Sequence, residues 1–259
     1  MQDTVNLRQS PAKPIAVMQR YELKYLLSAA QTAFLLERLS GRMLLDQYGR
    51  TSIASLYYDT PDSRLVRHSL EKPKFKEKMR LRSYGLASPD SPVYLELKRK
   101  AEDIVYKRRV QTTLPDVERF FSGGAALGAD SQISREITYF RDFYGTLNPA
   151  CLIIYDREAY YEPDGDLRLT VDFSPRYRME QLNLTTSMAG RLLLPAGSTI
   201  LEIKVQHAVP LWLSAILTEG RIVRSSFSKY GAAWSLQQRK ALASQPAKQK
   251  PSLLIPASA

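Results

Sequence analysis

The sequence has little of the chemistry that metal cages and disulfide scaffolds need: one cysteine, Cys151, and two histidines, His68 and His207, in 259 residues. A lone cysteine excludes an intrachain disulfide, and so few thiols and imidazoles exclude a zinc site built from them. A divalent ion would have to rest on carboxylates, which selects Mg2+ or Mn2+. Long apolar runs are missing too, since none approaches the roughly 18–20 residues that cross a bilayer. Met1 to Pro14 holds no apolar stretch of signal-peptide length. The expected compartment is therefore the cytoplasm, with a membrane-bound partner left open.

Positive charge is what the chain has in excess. Lys and Arg number 37 against 26 Asp and Glu, a formal net charge of +11. The partner is then an anion: nucleic acid, acidic lipid, nucleotide phosphate or polyphosphate. The apolar share of 44% is enough for an ordinary core, so wholesale disorder is excluded. Residues 1–16 and 243–259 are polar and proline-bearing and read as flexible tails, the second basic, around a folded unit over 17–242.

Within that unit most segments alternate with period two. The spacing predicts strands near 17–27, 51–59, 74–84, 92–100, 103–114, 150–162, 166–174 and 199–205. It predicts helices over 28–39, about 61–70, 115–122, 131–144, 209–219 and 228–242. Eight strands with few helices between them imply an α+β fold built on an eight-stranded antiparallel β-barrel, surrounded by helices.

The strands carry their charge on one face. Arg20, Glu22 and Lys24 alternate with Tyr21, Leu23 and Tyr25; Lys76, Lys78, Arg80 and Arg82 alternate with Met79 and Leu81. Glu96, Lys98 and Lys100 oppose Leu95 and Leu97, and Glu202 and Lys204 oppose Leu201 and Ile203. Lys107 and Arg109 share a face, Arg157 lies two residues from Tyr155, and Arg168 shares a face with Thr170 and Asp172. Either these faces meet water, or the barrel is turned inside out and they line its lumen. The recurring Glu-x-Lys pairs, the apolar helix faces that need a partner, and a lumen wide enough for one extended ligand favour the second. A basic lumen is costly unless an anion fills it. The basic faces carry few stacking aromatics beyond Tyr84, Tyr94 and Tyr155, which disfavours nucleic acid.

Eight segments, in this order, resemble the VTC-type polyphosphate polymerases of the triphosphate-tunnel (CYTH-like) superfamily. They are RYELKYLL (20–27), SLYYDTPD (55–62), KMRLRSYG (78–85), VYLELKRK (93–100), YKRRV (106–110), YDREAYYEPDGDLRLTVDF (155–173), ILEIKV (200–205) and SFSKYG (226–231). The resemblance implies a charged tunnel, ATP as phosphoryl donor, polyphosphate or orthophosphate as partner and a divalent cofactor, Mn2+ or Mg2+. It places phosphate ligands at Lys24, Arg80, Arg82, Lys98, Lys107, Arg157, Arg168, Lys204 and Lys229, and a metal-binding carboxylate at Glu202. Arg20, Lys78 and Arg109 join the phosphate set by sharing the charged faces, and Glu22, Glu96 and Asp172 are candidate helpers of the metal. One position departs from the hydrolytic tunnel enzymes: where their first strand has a further glutamate, Arg20 stands here. That departure resembles the polymerase branch. A tunnel triphosphatase and a non-enzymatic polyanion binder remain as alternatives.

Overall fold

The structure is a computed structural model and describes residues 21–102, 104–124 and 127–244. In chain order the elements are β1 (Tyr21–Leu27), α1 (Ala29–Leu39), β2 (Leu44–Leu45), β3 (Thr51–Asp59), α2 (Arg64–Leu70), β4 (Phe75–Tyr84), β5 (Val93–Ala101) and β6 (Ile104–Thr112). They continue with α3 (Leu114–Phe121), α4 (Gln132–Tyr144), β7 (Asn148–Tyr161), β8 (Arg168–Arg178), β9 (Arg191–Leu192), β10 (Thr199–Val205), α5 (Leu211–Glu219), β11 (Arg224–Ser225) and α6 (Lys229–Ala243). The fold is α+β, and every strand pairing is antiparallel.

One 11-stranded sheet runs β11-β1-β10-β8-β7-β3-β4-β5-β6, with β2 and β9 pairing off this path onto β7 and β8. The eight expected strands are its eight long members. The expected closed eight-stranded barrel is not what the hydrogen bonds draw: β11 and β6 end the path without pairing to each other. The two-residue strands β2, β9 and β11 are too short to leave a periodic signal. Arg20 and nearly all of both expected tails lie outside the described residues.

Alternation explains how the sheet is covered. On one face Met79, Leu81, Leu95 and Leu97 pack against Val117 and Phe120 of α3 and Ile137 and Phe140 of α4. On the same face, further along, Leu169, Val171, Leu201 and Ile203 meet Leu35 and Leu39 of α1 and Leu213 and Ile216 of α5. Each such side chain contributes about 1.5–3 kcal/mol by leaving water, and Leu97→Ala would cost about 2–5 kcal/mol. Ser28 and Ser131 fix the starts of α1 and α4 with reciprocal side-chain caps.

The charged residues, one position off in sequence, take the opposite face. That face curls into a trough, because Glu22 of β1 lies 3.2 Å from Lys98 of β5 although those strands are far apart in the sheet order. Part of the trough is filled. Ile53, Tyr57, Cys151, Ile153 and Tyr155 form a third apolar cluster with Val66 of α2 and Tyr230 and Ala233 of α6. Register puts Tyr57 opposite Arg80, so this cluster shares the charged face and α6 lies inside the curl. The helix sits close: a Cβ at Gly231 would come 2.9 Å from Leu70 Cδ2, so a side chain there would push the leucine tip aside.

Candidate functional site

Register brings the charged residues into rungs across the inner face. Lys24 pairs with Glu202, Lys78 with Lys98, Lys98 with Lys107, Arg80 with Glu96, and Glu96 with Arg109. Three clusters result.

The first centres on Glu96, whose side chain is 1% exposed. It accepts from Arg80 Nε at 2.8 Å and from Arg109 Nε at 2.8 Å, with Lys107 Nζ at 2.9 Å and Arg82 Nη1 at 3.9 Å. Burial alone would raise its pKa, but Arg80, Arg82 and Lys107 hold it well below the usual carboxylate range. Arg80 also donates to the Tyr57 hydroxyl at 3.1 Å. Burial pushes the Lys107 ammonium down to about 8, against the pull of Glu96.

The second is Asp172. Arg157 grips both of its oxygens, at 2.5 and 2.8 Å, and Lys229, the first residue of α6, donates to the same carboxylate. Burial opposes ionisation here as well, yet Lys229 and Arg157 keep the carboxyl below its ordinary value.

The third pairs Glu22 with Glu202. Lys24 lies between them, bonded to Glu22 and 3.4 Å from Glu202 Oε2; Lys98 reaches Glu22 at 3.2 Å, and Lys204 reaches Glu202 at 2.7 Å. Burial and repulsion from Glu202 raise the Glu22 pKa, and Lys98 and Lys24 outweigh them. Lys78 stands between the clusters and donates to the Ser228 hydroxyl, the N-cap of α6, at 2.8 Å. Burial, then repulsion from Lys76, Lys98 and Lys24, pushes its ammonium down to about 7.

Most of the residues singled out in the sequence therefore meet on one concave face: Glu22, Lys24, Lys78, Arg80, Arg82, Glu96, Lys98, Lys107, Arg109, Arg157, Asp172, Glu202, Lys204 and Lys229. Arg168 shares their face but stands exposed at the start of β8, opposite Lys204. Of the candidate metal carboxylates, Glu96 and Asp172 are the most deeply enclosed, each held by guanidinium and ammonium groups. Among the described residues no group of three or more His, Cys, Asp and Glu side chains is placed to hold a metal. Tyr57, Tyr155 and Ser228 were missed as site members. The available signal was their position on the charged face, and for Ser228 the cap preceding Lys229.

A model of the VTC domain matches residues 19–237. The chain belongs to the VTC-domain family.

Solved structures resemble this VTC domain at low identity. A candidate adenylate cyclase from Bacillus halodurans is 13% identical with a TM-score of 0.50, over 82% of this chain and 96% of that one. A candidate adenylyl cyclase from Hippeastrum, with a dominant triphosphatase activity, is 18% identical with a TM-score of 0.48, over 83% and 94%. A third, from Vibrio parahaemolyticus, is 10% identical with a TM-score of 0.45, over 84% and 98%. The Bacillus likeness shows a shared overall fold. No curated protein matches the chain. Among the described residues no helix is long and apolar enough to cross a membrane.

Proposed function

We propose that this VTC-domain protein is a polyphosphate polymerase that moves the terminal phosphoryl group of ATP onto a growing polyphosphate chain. In this reading the eight long strands are the staves of a tunnel and the curled charged face is its lumen. The observation that carries it is the surplus of inward cations over carboxylates, felt most by Lys78. This lysine sits among Lys76, Lys98 and Lys24, and burial first, then repulsion from these neighbours, pushes its ammonium down to about 7. Like charges stacked on one inner face cost stability, and a phosphate chain threaded between them removes that cost.

Phosphoryl transfer asks a protein mainly for positioning and charge neutralisation. Arg80 and Arg82 stand two residues apart on β4, about 7 Å, and grip different phosphates of one chain. Arg157 and Lys229, held by Asp172, present a second grip at the start of α6, where free N–H groups also favour an anion. Lys24, Lys98, Lys107 and Lys204 act as point charges along the chain.

A divalent ion fits one place. Glu22 and Glu202 repel each other and share the ammonium of Lys24, and two carboxylates completed by phosphate oxygens suit Mg2+ or Mn2+. When bound, the ion supplies neutralising charge to phosphate oxygens. The acceptor is a phosphate oxygen ionised at neutral pH, so no general base is needed, in keeping with the lack, among the described residues, of a histidine or unpaired carboxylate beside the arginines. The test is incubation of the purified protein with ATP and Mn2+ or Mg2+, with products resolved on a gel. Chains longer than the substrate support polymerisation. Orthophosphate alone supports a triphosphatase, and no turnover with tight polyphosphate binding supports a binder.

A further inference from the structure

Tyr155 sits at the middle of β7 with 2% of its surface exposed, and three cations from three elements converge on it. Arg82 of β4 donates to its hydroxyl at 3.1 Å. The Arg157 guanidinium lies 5.0 Å from its ring centre and the Lys229 ammonium 4.5 Å. Arg80 of β4 and Asp172 of β8 complete the charged surroundings. From β3 the residue opposite is the apolar Ile53, with Ser55 beyond it accepting from Arg82 Nε at 3.3 Å.

We propose that Tyr155 is a positioning residue of the phosphate site: its hydroxyl fixes Arg82, its ring seats Arg157 and Lys229, and the proton of this one phenol sets how strongly the site holds a phosphate chain. The inference rests on the reading that the curled face binds such a chain.

The argument is one of charge. Arg80 and Arg157 spend part of their charge on Glu96 and Asp172, whereas the hydrogen bonds of Arg82 go to two neutral hydroxyls. Arg82, 5% exposed, is thus pre-oriented by neutral partners, with Glu96 only at 3.9 Å offsetting part of its charge, provided the phenol keeps its proton. Burial resists ionisation of the phenol, but Arg82 first, then Arg157 and Lys229, overcome it and bring the group down to about 8. Above that pH a phenolate pairs with Arg82 and takes one positive charge from the cluster. A bound phosphate chain competes for the same cations and drives the proton back onto the oxygen, and linkage makes the two effects reciprocal.

The test follows tyrosinate absorbance against pH, with and without tripolyphosphate and without metal, in the wild type and in Tyr155→Phe. The wild type should show a one-tyrosine step near pH 8 that tripolyphosphate moves upward and that Tyr155→Phe lacks. At pH 7 the variant should bind tripolyphosphate about two- to tenfold more weakly, the scale of one hydrogen bond, and lose less affinity than wild type between pH 7 and 9. Arg82→Met is a second variant, which should move the step upward because the nearest cation is gone. No step below about pH 9.5, near the ordinary tyrosine range, overturns the proposal, as does a step that persists in Tyr155→Phe. Tripolyphosphate that binds but leaves the step in place sinks this proposal alone, while a wild type that binds none sinks the tunnel reading with it.

Discussion

Arg157 meets Asp172 edge to edge, Nε on one oxygen at 2.5 Å and Nη2 on the other at 2.8 Å. Both groups are largely buried, and Lys229 takes the remaining side of the carboxylate. Asp172 anchors these cations, and under the proposed function it is Glu202, which faces Glu22 across Lys24, that trades an ammonium for a metal ion. The contrast is measurable. Glu202→Gln should weaken the apparent Mn2+ affinity by about tenfold or more, the scale of a lost charged contact. Asp172→Asn should leave that affinity within about twofold while lowering the melting temperature. Titrating Mn2+ against turnover and recording thermal melts separates the two.

Arg80 links the Glu96 cluster to the inner wall through Tyr57. Arg80→Ala should weaken tripolyphosphate binding by about 10- to 100-fold, or about 1.5–3 kcal/mol. Calorimetric titration at fixed low salt measures it, and wild-type affinity would mean that the guanidinium does not touch the phosphate chain.

Glu96 is a stability device. Replacing it by glutamine keeps the shape and leaves Arg80, Arg109 and Lys107 without their shared counter-charge, at a cost of about 3–5 kcal/mol. The pH dependence has a defined sign. The folded-state pKa lies below the unfolded value of about 4.3, so the stabilisation is present above that value and is lost as pH falls through the folded one. Denaturant melts between about pH 6 and pH 3 should show wild-type stability declining at the acid end, with a flatter profile in Glu96→Gln.

Lys78 opposes the fold and serves the ligand. Its folded-state pKa of about 7 is far below the usual lysine value of about 10.4. Between those values the unfolded chain binds more protons, so stability rises with pH and the ammonium is destabilising at pH 7 and below. Lys78→Met should melt higher than wild type at pH 6.5. Phosphate binding should draw a proton onto Lys78, so tripolyphosphate titrations at pH 7.5 in buffers of different ionisation heat should show proton uptake, reduced in Lys78→Met.

Much of this was legible in the sequence, and the reason is the two-residue period of a strand. Glu22 and Lys24, Glu96 and Lys98, and Glu202 and Lys204 each fix a face without knowledge of any neighbour, and Leu23, Leu97 and Ile203 between them fix the other. Which cations close on each carboxylate was not legible. That depends on what lies across the sheet: Glu96 is closed by Arg80 from β4 and by Lys107 and Arg109 from β6, and Asp172 by Arg157 from β7 and Lys229 from α6. The placement of α6 inside the curl was hidden for the same reason. Tyr57, Cys151 and Ile153 look like any half-buried strand, and only long-range packing against Tyr230 and Ala233 puts them on the charged face.

A crystal structure of the protein soaked with tripolyphosphate examines the whole account at once. The account predicts one phosphate chain lying along the curled face, with oxygens in contact with Arg80, Arg82 and at least one of Lys78 and Lys98. A chain bound instead on the outer surface, or a curled face left without phosphate at saturating ligand, contradicts it.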